Sequence, residues 1–359
     1  CHQRRHQRHA STQYEPGADG AVGCGPALRG RPVAGPTSQR VVETATTTQH
    51  TDRQRPHPEH QHHHDGEQPF DLHRHDRTAL DAVGARQTGA TMERIDDAGD
   101  ERLSDYRELK DAAARRRIEG DEFFITEGPV AIERLIDSGH RIRSVLVSHQ
   151  KYERMTDLLD PLDVPVYCVD KTVLHDLVGF DLHRGAIAAA DRRTHPTLDE
   201  IARSCTRVAV LESLNDPENL GAVARSARAF GIEALVLDPT CIDPYTRRTV
   251  RVSMGEILLL PSCRVGGGDW PGAIERLRRA GFDVWAMTPA AGSDDMWDLT
   301  VPERLALMRG AEGPGLSLGA IAAADRRVRL SIDPDVDSLN VGAAAAVAFA
   351  IAGRQTRPS

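Results

Sequence analysis

The sequence predicts an α/β protein built from two units, a small one and a larger one with a parallel sheet, behind a first segment that has no core of its own. Three observations predict it. From Arg207 onward, apolar runs of strand length alternate with amphipathic runs of helix length, the pattern of a parallel sheet covered on both faces. A shorter alternation of the same kind fills residues 101–193. Residues 1–100 hold eleven of the 16 histidines with much Gln, Arg and Thr and almost no apolar periodicity, so they cannot bury enough surface to offset ordering entropy and are expected to be disordered. The expected division is therefore an extension (1–100), a small α/β domain (101–193), a linker (194–205) and a large α/β domain (206–355).

Composition narrows the function. The formal net charge of −8 excludes a bulk basic field, so any nucleic-acid contact must come from local patches. Those patches would be arginine, because Lys110, Lys151 and Lys171 are the only lysines among 45 basic residues, and arginine can grip phosphate with two bonds. The six cysteines (Cys1, Cys24, Cys168, Cys205, Cys241, Cys263) never show CxxC spacing, which argues against a zinc site or a disulfide framework. The cluster His60, His62, His63, His64 reads as part of the unfolded extension rather than as a metal site, and no metal is expected. No apolar run reaches transmembrane length. The text changes character at Met92, and translation is expected to begin at or near it.

The elements follow in order. Residues 92–118 have helical spacing. Phe123–Thr126 is a strand, and a helix then ends near Gly139. Arg141–Ser148 and Val164–Asp170 are strands, and "KTVLHDLVGF" is a helix with Gly179 near its end. "THPTLDEIARSC" links the two domains. In the larger domain, strands are expected at Arg207–Ser213, Glu233–Asp238, Phe282–Thr288, Arg304–Gly310 and Val328–Ile332. Helices are expected at "PENLGAVARSARAFG", with Pro217 at its start and Gly231 past its end, at "WPGAIERLRRAG", and at the Ala-rich "SLNVGAAAAVAFAIAG". The nonapeptide GAIAAADRR occurs twice, at 185–193 and 319–327, in unlike surroundings, and implies no duplicated domain.

Three clusters carry chemistry. The first holds Asn219, Gly221 and Arg225 in the opening turns of one helix. The second, "RGAEGPGLS" (309–317), ends a strand in Gly310, Gly313 and Gly315, where the backbone can approach a ligand closely. It lacks the spacing of a dinucleotide or phosphate loop. In the third, Ser338 stands where an N-cap belongs, with Leu339 and Asn340 following in the expected first turn.

Taken together, in this order and spacing, the clusters resemble the SpoU/TrmH branch of the SPOUT RNA methyltransferases. The three family motifs appear as Asn219-Leu220-Gly221 with Arg225, as Gly310-Ala311-Glu312-Gly313-Pro314-Gly315-Leu316, and as Ser338-Leu339-Asn340-Val341. "FFITEGPVAIERLI" and "HRGAIA" resemble the family's ribosomal-protein-like substrate-binding domain. The likeness covers roughly Ser104 to Gly353. Two departures stand out: Leu330-Ser331-Ile332 replaces the usual Ile-Pro-Met, and Ala311 stands where many relatives have Asn.

The resemblance implies a SPOUT-type parallel sheet with a C-terminal trefoil knot, S-adenosylmethionine as cofactor, no metal, and a cytoplasmic homodimer with its active sites at the subunit interface. It implies methyl transfer to a ribose 2′-hydroxyl of structured RNA, tRNA or rRNA, and no DNA or membrane partner. Gly310, Gly313, Gly315, Leu316, Leu330, Ile332, Leu339 and Asn340 would hold the cofactor. Asn219, Arg225, Glu312, Ser338 and Asn340 would carry the catalytic roles. An arginine stays protonated in proteins, so Arg225 is read as a phosphate clamp that also stabilises developing charge, with Glu312 and Asn219 orienting it or supporting the loop. The RNA grip is assigned to Arg115, Arg116, Arg117, Arg192, Arg193, Arg247, Arg248 and Arg251. Two rival classes are a non-catalytic RNA-binding protein and an α/β enzyme acting on free nucleotides. The intact motif residues oppose the first, and the upstream domain opposes the second.

Overall fold

Apolar runs that alternate on both faces of the chain form two sheets. The computed structural model describes residues 92–179, 185–336 and 338–353, all within one compact unit. Most of the expected extension, with His60, His62, His63, His64, Cys1 and Cys24, lies outside the described residues, as does the segment before the expected start at Met92.

The first sheet has the order β1-β4-β3-β5-β2. Its strands are β1 (Met92–Ile95), β2 (Phe123–Glu127), β3 (Ile142–Ser148), β4 (Val166–Val169) and β5 (Ala186–Asp191). β4 runs parallel to β1 and β3, while β5 is antiparallel to β3 and β2. Helices α1 (Ala112–Glu119), α2 (Pro129–Asp137), α3 (His149–Tyr152), α4 (Thr156–Leu159) and α5 (Lys171–Val178) connect them. Helical spacing misled at the start of this unit. Met92–Ile95 is an edge strand that buries Ile95 alone, and the Asp97–Gly99 turn closes it before a helix can nucleate. Only Ala112–Glu119 of that stretch is α-helical, capped by Asp111, whose carboxylate accepts from Ala113 and Ala114.

Residues 194–205, read as a linker, hold helix α6 (Leu198–Ser204). Thr197 and Glu200 form a capping box, with Glu200 N donating to Thr197 Oγ1 at 3.2 Å and Thr197 N donating to Glu200 Oε2 at 2.7 Å. Leu198 and Ile201 pack against Val208 and Val210 of the second sheet, so the segment belongs to that sheet's core.

The second sheet is parallel throughout, in the order β10-β12-β9-β11-β6-β7-β8. Its strands are β6 (Arg207–Glu212), β7 (Ala234–Leu237), β8 (Ser262–Arg264), β9 (Asp283–Met287), β10 (Asp294–Asp295), β11 (Leu305–Gly310) and β12 (Arg326–Arg329). The helices are α7 (Pro217–Ala229), α8 (Arg247–Val252), α9 (Gly272–Arg279), α10 (Leu318–Ala323) and α11 (Val341–Gly353). On one face, α6, α9 and α10 cover Val208, Val210, Ala306 and Met308. On the other, α7 and α11 cover Ala209, Leu211, Leu305 and Leu307. That second cluster continues into Phe124 and Val145 of the first sheet and Ile132 and Leu135 of α2, so the two units share one core.

Short β8 and β10 and helices α8 and α10 carry too few periodic residues to be legible in the sequence. The strand expected at 328–332 is shifted to 326–329, because β9 ends beside Val328 and leaves Leu330–Ile332 without a pairing edge there. These two leucine and isoleucine side chains are thereby freed to line a cavity.

Candidate active site

The three sequence clusters meet at the carboxyl ends of β6 and β11, where open α/β sheets bind ligands. Helix α7 begins with Asp216 as N-cap and Pro217 at its first position, which puts Asn219 in the first turn. Gly221 follows because α8 crosses there: a Cβ would lie 2.9 Å from the Thr249 carbonyl oxygen and 2.8 Å from Val252 Cβ. On its other side α7 packs on α11, where a Cβ on Gly342 would meet Ala222 Cβ at 2.8 Å.

Asn340, and not Ser338, caps α11. Its Oδ1 accepts from Gly342 N at 2.8 Å and from Ala343 N at 3.3 Å. Capping fixes the amide orientation, since the oxygen must face the backbone donors and the Nδ2 group must therefore face outward. That group donates to Glu312 Oε1 at 3.0 Å and to Asn219 Oδ1 at 3.3 Å. One residue of each motif is thus joined in a single network. Glu312 and Asn219 bond to Asn340 rather than to Arg225, so the orienting role expected for them is directed at α11. Ser338 is exposed, two residues short of the cap position.

The glycine turn after β11 works differently from expectation. Gly310 is required by the turn's own backbone: a Cβ there would lie 2.0 Å from the Gly315 carbonyl carbon. Gly313 and Gly315 have φ of +83° and +69°, which L-residues adopt at a cost. Gly315 N donates back to Ala311 O at 3.1 Å, which closes the loop and holds Glu312 toward Asn340. Leu316 turns away from the site and packs in the core with Ala320 and Met308. A residue the sequence did not single out, Glu212 at the end of β6, anchors the turn. Its buried carboxylate accepts from Ser317 N and Ser317 Oγ, both at 2.7 Å, and from Trp270 Nε1 at 2.8 Å. No motif marks it, because its partners lie 58 and 105 residues away.

Beside the network lies a cavity of about 240 Å³. Leu330, Ile332, Ser338 and Leu339, all singled out from sequence, line it, together with Met287, Pro289, Val328 and Ala344. Gly310, Gly313, Gly315 and Leu316 contribute no lining. Arg309 does, the first residue of the second cluster, to which the sequence assigned no role of its own. Burial pushes its pKa down, partly opposed by the charge of Glu312.

Arg225 is exposed on α7 and, among the described residues, makes no ion pair or hydrogen bond. Most of the arginines expected to grip RNA are engaged by the protein itself. Arg115 is buried, paired with Glu119 at 2.6 Å, and donates to the carbonyls of Asp105 and Arg107. Arg192 pairs with Asp243 at 2.6 Å and lies over the Tyr245 ring. Arg193 donates to Ser138 O at 2.7 Å. Arg247 and Arg251 both reach the buried Glu127, at 2.9 and 3.3 Å, and so tie the two sheets together. Arg248 pairs with Glu218 on the surface. Arg116 and Arg117 are exposed, with side chains that make no such bond among the described residues. The arginine runs were legible in the sequence, but apart from Glu119, four residues from Arg115, their carboxylate partners lie far along the chain and were not.

Among the described residues no group of three or more His, Cys, Asp or Glu could hold a metal ion, and no helix is long and apolar enough to cross a membrane. The described cysteines, Cys168, Cys205, Cys241 and Cys263, are free and buried. Burial raises the Cys205 thiol to about 11 and those of Cys241 and Cys263 to about 12.

Residues 206–350 match the model of the SpoU rRNA Methylase family. An uncharacterized tRNA/rRNA methyltransferase of Mycobacterium tuberculosis is 36% identical over 265 residues, which cover 73% of this chain and 91% of that protein. The chain belongs to the SpoU rRNA methylase family. A 23S rRNA (guanosine(2553)-2′-O)-methyltransferase of Bacillus subtilis is 23% identical over 266 residues, 71% of this chain and 97% of that protein. The same fold occurs in an AdoMet-bound rRNA methyltransferase of Sinorhizobium meliloti, with a TM-score of 0.62 and 24% identity over 74% of this chain and 99% of that one. S-adenosylmethionine is the cofactor of the SpoU family. The residues present fit that group. Aliphatic walls from Leu330, Ile332 and Leu339 suit an adenosine, and a charged side chain, Arg309, faces the same space.

Proposed function

We propose that this protein methylates a ribose 2′-hydroxyl of structured RNA, tRNA or rRNA, at the site formed by Asn219, Arg225, Glu312 and Asn340. The observation that carries the reading is the juxtaposition of an aliphatic cavity with a network joining all three motifs, beside a solvent-facing arginine on the same helix as Asn219. The name of the Bacillus subtilis relative, a 2′-O-methyltransferase, supports the choice of acceptor. On this reading the first sheet belongs to the substrate-binding domain, expected at 101–193 but joined in the structure by β1 (Met92–Ile95) from the segment expected to be disordered, and the second to the methyltransferase domain (206–355).

S-adenosylmethionine supplies an already activated methyl group. The protein must hold the acceptor oxygen in line, handle its proton and keep water away. Arg225 clamps the phosphate next to the target ribose and stabilises negative charge as it develops on the 2′-oxygen. The Asn340–Glu312–Asn219 network holds the glycine turn and the two helix starts in register, and Ser338, at the cavity wall, binds ribose or cofactor. Arg116 and Arg117 add phosphate contacts on the first unit.

The rest of the reading concerns assembly. β11 lies between β6 and β9, although it follows both in the chain, an order consistent with the threaded C-terminal segment of a trefoil knot. On α11, Ala343, Ala346, Val347 and Ala350 form a partly exposed apolar stripe at helical spacing, which suits a homodimer contact beside the site. A cytoplasmic location follows from the substrate.

The test is methyl transfer from labelled S-adenosylmethionine to tRNA and rRNA, followed by digestion and mass spectrometry. 2′-O-methyl nucleosides are expected, and base-methylated products alone would overturn the acceptor. Arg225→Ala should lower the rate about 10²- to 10³-fold at unchanged cofactor affinity. Arg225→Lys should restore part of it; full restoration with a new alkaline limb in the pH profile would favour a general base over a clamp.

A further inference from the structure

We propose that Arg309 is the counter-ion for the carboxylate at the amino-acid end of the cofactor, and that it sets a preference for S-adenosylmethionine over nucleosides lacking that carboxylate. Arg309 is the penultimate residue of β11, in register with Leu211 of β6. Its face of the strand is that of Leu305 and Leu307, so its side chain rises from the apolar core into the end of the cavity, beside Leu330, Leu339 and Ala344. Desolvation is the main influence on it and lowers its pKa.

A guanidinium taken out of water needs a partner. Arg115 has Glu119, Arg192 has Asp243 and Arg247 has Glu127, while the buried Arg207 leaves its Nε and Nη1 without a partner among the described residues but does not line the cavity. Arg309 makes no hydrogen bond or ion pair among the described residues, and Glu312 acts on it only at longer range. Arg329 and Asp333 also line the cavity, but both are exposed. The planar fork of Arg309 matches a carboxylate and can hold it with two bonds. S-adenosylmethionine carries one carboxylate on a flexible chain. An RNA phosphate is fixed in a bulky backbone and cannot follow it into a cavity of about 240 Å³ lined by Leu330 and Leu339.

The inference rests on S-adenosylmethionine being the cofactor and is independent of the acceptor. Calorimetric binding of S-adenosylmethionine and of decarboxylated S-adenosylmethionine, without RNA, tests it. The wild-type protein should prefer the carboxylated nucleoside about 10- to 100-fold, the range of one charge-assisted contact. Arg309→Met should bring the two affinities within about twofold of each other, chiefly by weakening the carboxylated ligand. Arg309→Lys should keep an intermediate preference. If Arg309→Met fails to fold, Arg309→Gln is read in the same way. A wild-type protein that binds both nucleosides equally refutes the role of Arg309. One that binds neither refutes the cofactor assignment instead. A variant that keeps the preference but loses RNA affinity would assign the guanidinium to phosphate and overturn the proposal.

Discussion

Asn340 does two jobs with one amide, and substitution separates them. Its Oδ1 caps α11 through two backbone donors, while its Nδ2 binds Glu312 and Asn219. Asn340→Ala removes both. Loss of an N-cap costs about 1 kcal/mol, within a range of about 0.5–2. Glu312 is exposed, so water replaces the lost donor at little further cost. At about 2–4 °C per kcal/mol for a body of this size, Asn340→Ala should melt about 2–4 °C lower. Asn340→Asp keeps the cap, and its charge gains about 0.3–1 kcal/mol at the positive end of the helix. Against that, two carboxylates about 4 Å apart in water repel by about 1 kcal/mol. The terms nearly cancel, so thermal stability should stay close to wild type. The network does not survive, because an acceptor now faces Glu312 and Asn219. Methyl transfer should fall about 10- to 100-fold, as for loss of a hydrogen bond to a charged group. Differential scanning calorimetry and initial rates of labelled methyl transfer check the pair. An Asn340→Asp protein with full activity would show that the amide bridge has no functional part. One that melts as low as Asn340→Ala would show that the capping account is wrong.

Three further outcomes are expected. His140 is held neutral by burial, with a pKa of about 3 against 6.5 unfolded, so its share of stability is complete above pH 6.5 and is lost progressively as pH falls toward 3, with a slope of up to about 1.4 kcal/mol per pH unit. Urea unfolding across that window should show the slope, and His140→Gln should flatten it; an unchanged slope would place the proton uptake elsewhere. Glu127→Ala removes the carboxylate that Arg247 and Arg251 share, leaving Arg247 its bond to Leu109 O, and should destabilise the protein by about 3 kcal/mol in urea titrations, whereas a loss near zero would return both arginines to the list of RNA contacts. Gly310→Ala drives a methyl into the Gly315 backbone, so the turn must open; cofactor affinity measured by calorimetry should collapse, and an unaffected affinity would show that a closed turn is not needed.

The site was more legible in the sequence than its connections were. Asn219, Glu312 and Asn340 could be selected from three short motifs because a glycine turn and helix starts are local features. That Asn340 would be the cap, and that its amide would tie the other two together, depended on where α11 begins. Leu330 and Ile332, expected from the motif to hold the cofactor, line the cavity from beyond the end of β12 rather than from within a strand. The engagement of the expected RNA-facing arginines was not legible, because an arginine's partner depends on which carboxylate the fold brings to it: Glu119 lies one helical turn from Arg115, but Glu127 and Asp243 are not announced by spacing along the chain.

The repeated nonapeptide shows where sequence stops deciding. GAIAAADRR at 185–193 forms β5, and the same residues at 319–327 form most of α10 and the start of β12. Alanine favours helix intrinsically, and the second copy follows that preference, started by Ser317, whose hydroxyl accepts from Ala320 N at 3.2 Å. The first copy has no such start. It lies between β2 and β3, which pair with it on both edges, and Ala186, Ala188, Ala189 and Ala190 are completely buried there. Two ladders of backbone hydrogen bonds and an enclosed core outweigh about 0.5–1 kcal/mol per residue of local preference. Composition, periodicity and the motif glycines determined that this chain forms α/β layers with a ligand site at strand ends. Which of two identical segments became a strand, and which arginines were left facing solvent, was decided by neighbours distant in sequence.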